Sequence, residues 1–247
     1  MDAPRNVPRP EIEGLVGTPE TVLTRALVES LPPNESPAPW SVRCSGLVWI
    51  GRGGAAASRA LPPALQSSQA LMTIGGFIRY NDTPVGPYDE AFGLVAARSG
   101  ATSWGTVAFM AVDSPASLVG GRTNWAMPKT LSTFTGEPTN GTTMTAQSAD
   151  GIEWSVSATA RAVGPAIPNR SRSKARQQFA DGRVGTAMLS FRGRMRPALV
   201  TVDVRSEGTL GSWMRSGRHV GAIIESATFT LGEPRLSGVG ASRAQQS

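Results

Sequence analysis

The chain has 247 residues, 40% of them hydrophobic and 17% charged, with a formal net charge of +6, one cysteine and one histidine. This fits a globular protein with a sizeable core, and it excludes an intrachain disulfide, a cysteine cluster and a His-rich metal site. The 28 glycines and 19 prolines favour short strands and frequent turns over long helices.

The N-terminal stretch MDAPRNVPRPEIEG lacks the apolar segment of a secretory signal. No run approaches the roughly 18 apolar residues of a membrane span. The expectation is therefore a soluble, cytoplasmic protein. Residues 1–15 read as a flexible arm. GTPETVLTRALVESL follows, with Thr18 as N-cap and Pro19 at the first helical position, and predicts a short helix; LPPNESPAPW then breaks it.

From Trp40 onward the pattern has mostly period two. SVRCSGLVWI, LMTIGGFIRY, AFGLVAAR and GTVAFMAV read as strands separated by Gly, Pro, Asn and Asp. EPTNGTTMTAQSADGIEW predicts a hairpin turning at Asp150-Gly151. In GIEWSVSATARAV the residues Ile152, Trp154, Val156, Ala158 and Ala160 fall on one face and Glu153 to Arg161 on the other. PALVTVDV and AIIESATFTL add two strands. AAASRALPPALQ and GTLGSWMRSGRHV are candidate helical interruptions, and residues 237–247 read as a disordered tail. Many consecutive strands with few helices, over residues 16–236, argue for one domain, an antiparallel barrel or a sandwich.

Much of the excess positive charge lies between Arg161 and Arg183, where Arg170, Arg172, Lys174 and Arg176 face only Asp181. The run lacks interleaved aromatics and any nucleic-acid motif, so it reads as a solvated loop or helix face. Basic charge is otherwise carried almost wholly by arginine. Lys129, in NWAMPKTLSTF, is one of only two lysines. An amine can act as a nucleophile where a guanidinium cannot, and Trp125 and Met127 give it an apolar neighbourhood that disfavours the charged form.

Gly86, Tyr88 and Glu90, followed by Gly121, Arg122, Pro128 and Lys129, resemble the G-x-Y-x-E and G-R-x5-P-K segments of the acetoacetate decarboxylase-like family. GRHVGAIIESATF, headed by His219, is similar to that family's last strand. The resemblance runs from about Trp40 to about Pro234. It implies a closed, mostly antiparallel β-barrel with a few peripheral helices and an apolar pocket. Lys129 would be the Schiff-base nucleophile and Glu90 the catalytic acid–base group. Arg52, Arg79 and Arg122 are the candidates for holding an anionic substrate group, and Tyr88, Trp125 and Met127 are candidate pocket-lining residues. The sequence departs from the decarboxylase pattern at Thr130, where a second lysine is expected, and at Gly75, where a second pocket glutamate is expected. The implied function is an enzyme acting on an oxo acid or related carbonyl compound by decarboxylation or aldol or dehydration chemistry. A non-imine isomerase or cyclase using Glu90 and a non-catalytic binding barrel are the alternatives. Neither cofactor nor metal is expected. The expected partner is a small carbonyl or carboxylate substrate, with no nucleic acid and no membrane, in a homo-oligomer.

Overall fold

A computed structural model describes residues 9–237. The expected tail from 238 onward and residues 1–8 of the expected arm lie outside the described residues. The remainder of that arm is not loose. Residues Pro10–Glu13 form a short helix, α1, whose Ile12 is fully buried.

The helix expected from Thr18 is split. Thr21 Oγ donates back to the Thr18 carbonyl at 2.8 Å and closes a single 3-10 turn, Pro19–Thr21. Val22 then turns extended, and α2 (Arg25–Ser30) starts afresh under Thr24, whose side chain accepts from the Leu27 amide. Two competing N-cap residues six positions apart thus divide one periodic stretch.

The strands are β1 (Trp40–Arg52), β2 (Gln69–Asp82), β3 (Tyr88–Ser99) and β4 (Thr102–Val112). They continue as β5 (Lys129–Gly136), β6 (Thr143–Ser148), β7 (Trp154–Ala162), β8 (Ile167–Gln178), β9 (Val184–Ser206), β10 (Gly217–Leu231) and β11 (Arg235–Ser237). Helices α3 (Ala55–Arg59), α4 (Pro115–Trp125) and α5 (Leu210–Trp213) interrupt them. The protein is thus mostly β. The sheet path is β10-β1-β2-β3-β4-β5-β6-β7-β9-β11, with β8 bridging β4 and β9 and with β10 paired to β9 as well as to β1. All pairings along it are antiparallel except those of β4 with β5 and with β8.

Alternation holds where it was clearest. Trp154, Val156, Ala158 and Ala160 of β7 are buried while their neighbours are not. The hairpin between β6 and β7 is present, but its connection spans residues 149–153. Asp150 does not serve it as a tight-turn residue, because its carboxylate accepts from the amide and hydroxyl of Thr24. Two corrections concern the C-terminal half. The basic run is not a loop or helix face; it is strand β8, paired along its length with β9. Of the stretch expected to be helical from 208 to 220, only α5 is helix, and Gly217 already opens β10.

The interior is divided into two apolar clusters. One gathers Trp49, Phe77, Phe109, Trp154 and Trp213. The other, around Trp40, Tyr80, Tyr88, Met110 and Trp125, surrounds a cavity. Strand β9 serves both. Leu189, Phe191 and Met195 face the second cluster, and beyond Pro197 the parity switches so that Ala198, Val200, Val202 and Val204 face the first.

Candidate active site

Lys129 is the first residue of β5, and its position is fixed by how α4 ends. Ser114 caps the helix by accepting from the Ser117 amide, with Pro115 at the first helical position. At the far end the Ala126 amide bonds to the Arg122 carbonyl and the Met127 amide to the Gly121 carbonyl, while Ala126 adopts a left-handed φ of 55°. The 5→1 bond of a left-handed residue is the αL closure, here with alanine in the position usually given to glycine. The Lys129 amide then reaches back to the Met127 carbonyl at 2.7 Å across Pro128, the tight turn that proline's fixed φ favours. Two consecutive turns therefore deliver the lysine inward against α4. Gly121 makes room for it, since a Cβ there would stand 2.5 Å from Lys129 Cε.

Glu90 comes from β3, on the opposite side of β4. Register pairs Glu90 with Val112, and Met110 with Lys129, so both side chains emerge on the same face over β4. Lys129 Nζ lies 3.0 Å from Glu90 Oε2 and 2.9 Å from Ser117 Oγ. The other carboxylate oxygen, Oε1, accepts from the Tyr80 hydroxyl at 3.0 Å. The Tyr88 ring centroid is 5.1 Å from Nζ, within cation–π reach. Both members of the ion pair are only 4% exposed.

The electrostatics follow from this geometry. Burial alone pulls the Lys129 amine down, but the adjoining Glu90 carboxylate outweighs it, and the amine is held above its ordinary value. Burial pushes the Tyr88 hydroxyl up to about 12, so it is protonated and carries no charge at neutral pH. Tyr80 is likewise raised by burial and then by Glu90. The lone thiol, Cys44, lies on the same cavity, and burial raises it to about 12.

The cavity has a volume of about 760 Å³ and includes Lys129, Glu90, Tyr80, Tyr88, Trp125 and Met127 in its walls. Lys129, Glu90, Tyr88, Trp125 and Met127, picked out in the sequence, are therefore brought together. The three arginines are not. Arg52 is exposed at the end of β1. Arg79 holds Asp89 in a bidentate pair at 2.8 and 2.7 Å and also meets Glu137, on the face opposite Glu90. Alternation along β3 sends Asp89 outward and Glu90 inward.

Arg122 is 1% exposed and donates to the backbone carbonyls of Ile12, Thr21 and Lys129. Burial lowers its guanidinium to about 10. None of the three lines the cavity. At position 75 there is no room for a second carboxylate, because a Cβ on Gly75 would collide with the Trp49 indole. Thr130 is fully buried and supplies no charge beside the lysine. The ring nitrogens of His219 meet the backbone oxygens of Ile50 and Arg215.

Two site residues had no sequence signal of their own. Tyr80 reaches Glu90 through the register of β2 with β3, and Ser117 reaches Lys129 because α4 folds over β5. The Ser-Pro pair at 114–115, a helix-start signature, was the one local clue to α4.

Comparison of the sequence with protein families matches Acetoacetate decarboxylase (ADC) over residues 46–218. No curated protein matches the chain in sequence. Among solved structures, one from structural studies of acetoacetate decarboxylase aligns with a TM-score of 0.62 at 11% identity, covering 87% of this chain and 98% of that one. Acetoacetate decarboxylase from Legionella pneumophila aligns with a TM-score of 0.56 at 16% identity, over 85% and 93% of the two chains. The enduracididine biosynthesis enzyme MppR, complexed with pyruvate, aligns with a TM-score of 0.58 at 14% identity, over 81% and 91%. At these identities the structural likeness concerns the fold.

Proposed function

Because the chain belongs to the acetoacetate decarboxylase family, we propose that it is an enzyme of small-molecule metabolism that binds a carbonyl compound in the apolar cavity and forms an imine with Lys129. The pairing of β10 with both β1 and β9 supports the closed barrel that this reading needs around the cavity. The observation that carries the reading is the buried contact of 3.0 Å between the amine and Glu90, on the wall of that cavity.

Lysines of this type are activated by a neighbouring cation in acetoacetate decarboxylase, which is the standard example of that device. Thr130 provides none here. Glu90 supplies a different route. Once a substrate excludes water, the ion pair is costly in the apolar site, and the Nζ proton passes to Glu90 Oε2. The neutral amine attacks the carbonyl carbon, the resulting alkoxide takes a proton from the attacking nitrogen to give the carbinolamine, and Glu90 returns its proton to that hydroxyl as water leaves. The product is a protonated imine, an electron sink for a carbanion on the adjacent carbon. Ser117, 2.9 Å from Nζ, orients the amine. Loss of carbon dioxide, aldol addition or cleavage, and dehydration all pass through such an intermediate. Arg52, Arg79 and Arg122 stand away from the cavity, so an anionic substrate group would be met instead by Arg172 or Lys174, which line it.

The raised value of the Lys129 amine favours a second reading, in which the ammonium stays charged and polarises the carbonyl while Glu90 removes the α-proton. One experiment separates the two. The protein is incubated with pyruvate, acetoacetate and a medium-chain oxo acid plus cyanoborohydride, and the adduct is mapped by mass spectrometry. A reduced adduct on Lys129, lost in Lys129→Met, is the expected result. Solvent deuterium entering the α-carbon with no adduct from any carbonyl would overturn imine chemistry in favour of the second reading.

A further inference from the structure

The basic run that carries most of the excess charge forms a specific arrangement once β8 is paired. Arg170 stands opposite Arg192 of β9, Arg192 opposite Thr228 of β10, and Thr228 opposite Arg43 of β1. The next row is Arg172, Ser190, Thr230 and Ser41, closed by a 2.9 Å hydrogen bond between the last two. Directly paired residues share a face, and these are on the outward one, while Phe191 and Leu189 face the interior cluster. The face is concave. A depression of about 430 Å³ is lined by Arg170, Arg172, Arg192, Ser190, Thr228 and Thr230, among others.

Two like charges directly opposite one another weaken a sheet. Ordinarily a carboxylate relieves such a pair. Among the described residues, no Asp or Glu forms an ion pair with Arg170, Arg172 or Arg192. The nearby acids are taken, Glu225 by Arg194 and Arg196 and Asp82 by Arg43. Three guanidinium groups thus converge on one depression with no anion of the protein to meet them; of the hydroxyls beside them, Thr228 donates to the Arg192 carbonyl and Thr230 pairs with Ser41.

We propose that this face binds the phosphate group of a small molecule, a phosphate monoester or diphosphate. The donor count exceeds what a planar carboxylate takes up, whereas a tetrahedral dianion accepts bidentate arginine contacts and hydroxyl donors at once. Phe191 and Phe229, the aromatic rings at the depression, are partly buried and pack against the interior cluster, so they do not form an open stacking platform for bases. A discrete hollow also suits a compact phosphate better than a polymer backbone. The site lies on the outward face of β8, β9 and β10, and Arg172, Phe191 and Phe229 of its lining also border the cavity that holds Lys129.

The test is calorimetric titration of the full chain with inorganic pyrophosphate at constant ionic strength. Saturable binding is expected, weakened about tenfold or more in Arg170→Gln/Arg192→Gln and unchanged in Arg218→Gln, an exposed cation elsewhere. The double variant also has a higher melting temperature than the parent at low salt without ligand, since the opposed charges are gone, and it loses the pyrophosphate-induced rise. The inference is overturned by absence of saturable binding, by equal affinity in the double variant, or by sulfate producing the same effect at the same ionic strength. It is also overturned if a single-stranded oligonucleotide binds these arginines more tightly than pyrophosphate with a steep salt dependence, which would assign the face to nucleic acid.

Discussion

Lys129 and Glu90 meet at 3.0 Å although their strands do not touch: β5 and β3 lie on either side of β4, and the two side chains close over it. The contact is tertiary in origin, and both partners are almost fully buried. A buried pair of this kind is costly to break and cheap to replace as a unit. Lys129→Met and Glu90→Gln should each destabilise the fold, by about 3–5 kcal/mol where an uncompensated charge is left behind. The double variant should recover most of that loss. Urea denaturation of the four proteins gives the coupling directly. Additive losses would show that the two groups do not depend on each other.

The pair also sets a pH signature. If Glu90 takes the proton internally, the reactive neutral pair and the resting ion pair hold the same number of protons. Trapping of a carbonyl substrate at saturating reductant should then be flat from about pH 6 to 9. In Glu90→Gln the carboxylate that chiefly opposes burial is gone, and the amine falls. Trapping should then rise about tenfold per pH unit until the lowered value is passed. Turnover should fall by about 10²–10⁴ because the acid–base group is gone. A tenfold slope in the parent protein would count against internal proton transfer.

Stability should follow the same group in alkali. The amine is held above its ordinary value in the folded state, so its contribution is complete at neutral pH. It is lost as pH rises through the raised value. Denaturation midpoints should therefore drop more steeply in strong alkali for the parent than for the double variant Lys129→Met/Glu90→Gln.

Gly121→Ala tests the packing that positions Lys129. The added methyl meets Lys129 along its stem, at 2.5 Å from Cε, 2.6 Å from Cδ and 3.3 Å from Cγ. Alanine favours the helix by about 1 kcal/mol, so a net loss of stability, towards the about 3–5 kcal/mol of a broken buried pair, would report displacement of Lys129 from Glu90. Lys129 must swing out of line with Glu90, so imine trapping should fall at least about tenfold for a displacement of this size. Unchanged trapping would show that the glycine is not needed for the approach.

Cys44 faces the cavity, and its burial keeps the thiol protonated at neutral pH. Alkylation by iodoacetamide should therefore be slow in the native protein and rapid after unfolding. Occupation of the cavity by a substrate analogue should slow it further. Fast native labelling would mean that the cavity is more open than its walls suggest.

What the sequence disclosed depended on the kind of signal. Strand β7 was legible because its apolar residues alternate with polar ones. Helix α4 was not, because Ser117, Leu118, Val119, Gly120, Gly121 and Arg122 are buried in succession and leave no polar stripe to read. Strand β8 was hidden for the opposite reason. Arginine, serine and lysine alternate along it without an apolar face, so charge masked the strand until β9 supplied its partner. Lys129 and Glu90 could be named from motif spacing, whereas Ser117 and Tyr80 arrive through helix packing and strand register. The arginines show the limit most plainly. Arg122 lies close to Lys129 in sequence, yet its side chain is spent on carbonyl oxygens.

That use of Arg122 has a bearing on where the domain begins. The family match starts at residue 46, yet the guanidinium ties the Ile12 and Thr21 carbonyls to that of Lys129. Truncation at the matched boundary would remove two of the three acceptors, leaving buried donors unsatisfied at about 1–3 kcal/mol each. It would also release the strand end that presents the amine. The segment upstream of β1 thus belongs to the lysine's scaffold, and an expression boundary chosen by sequence similarity would sever it.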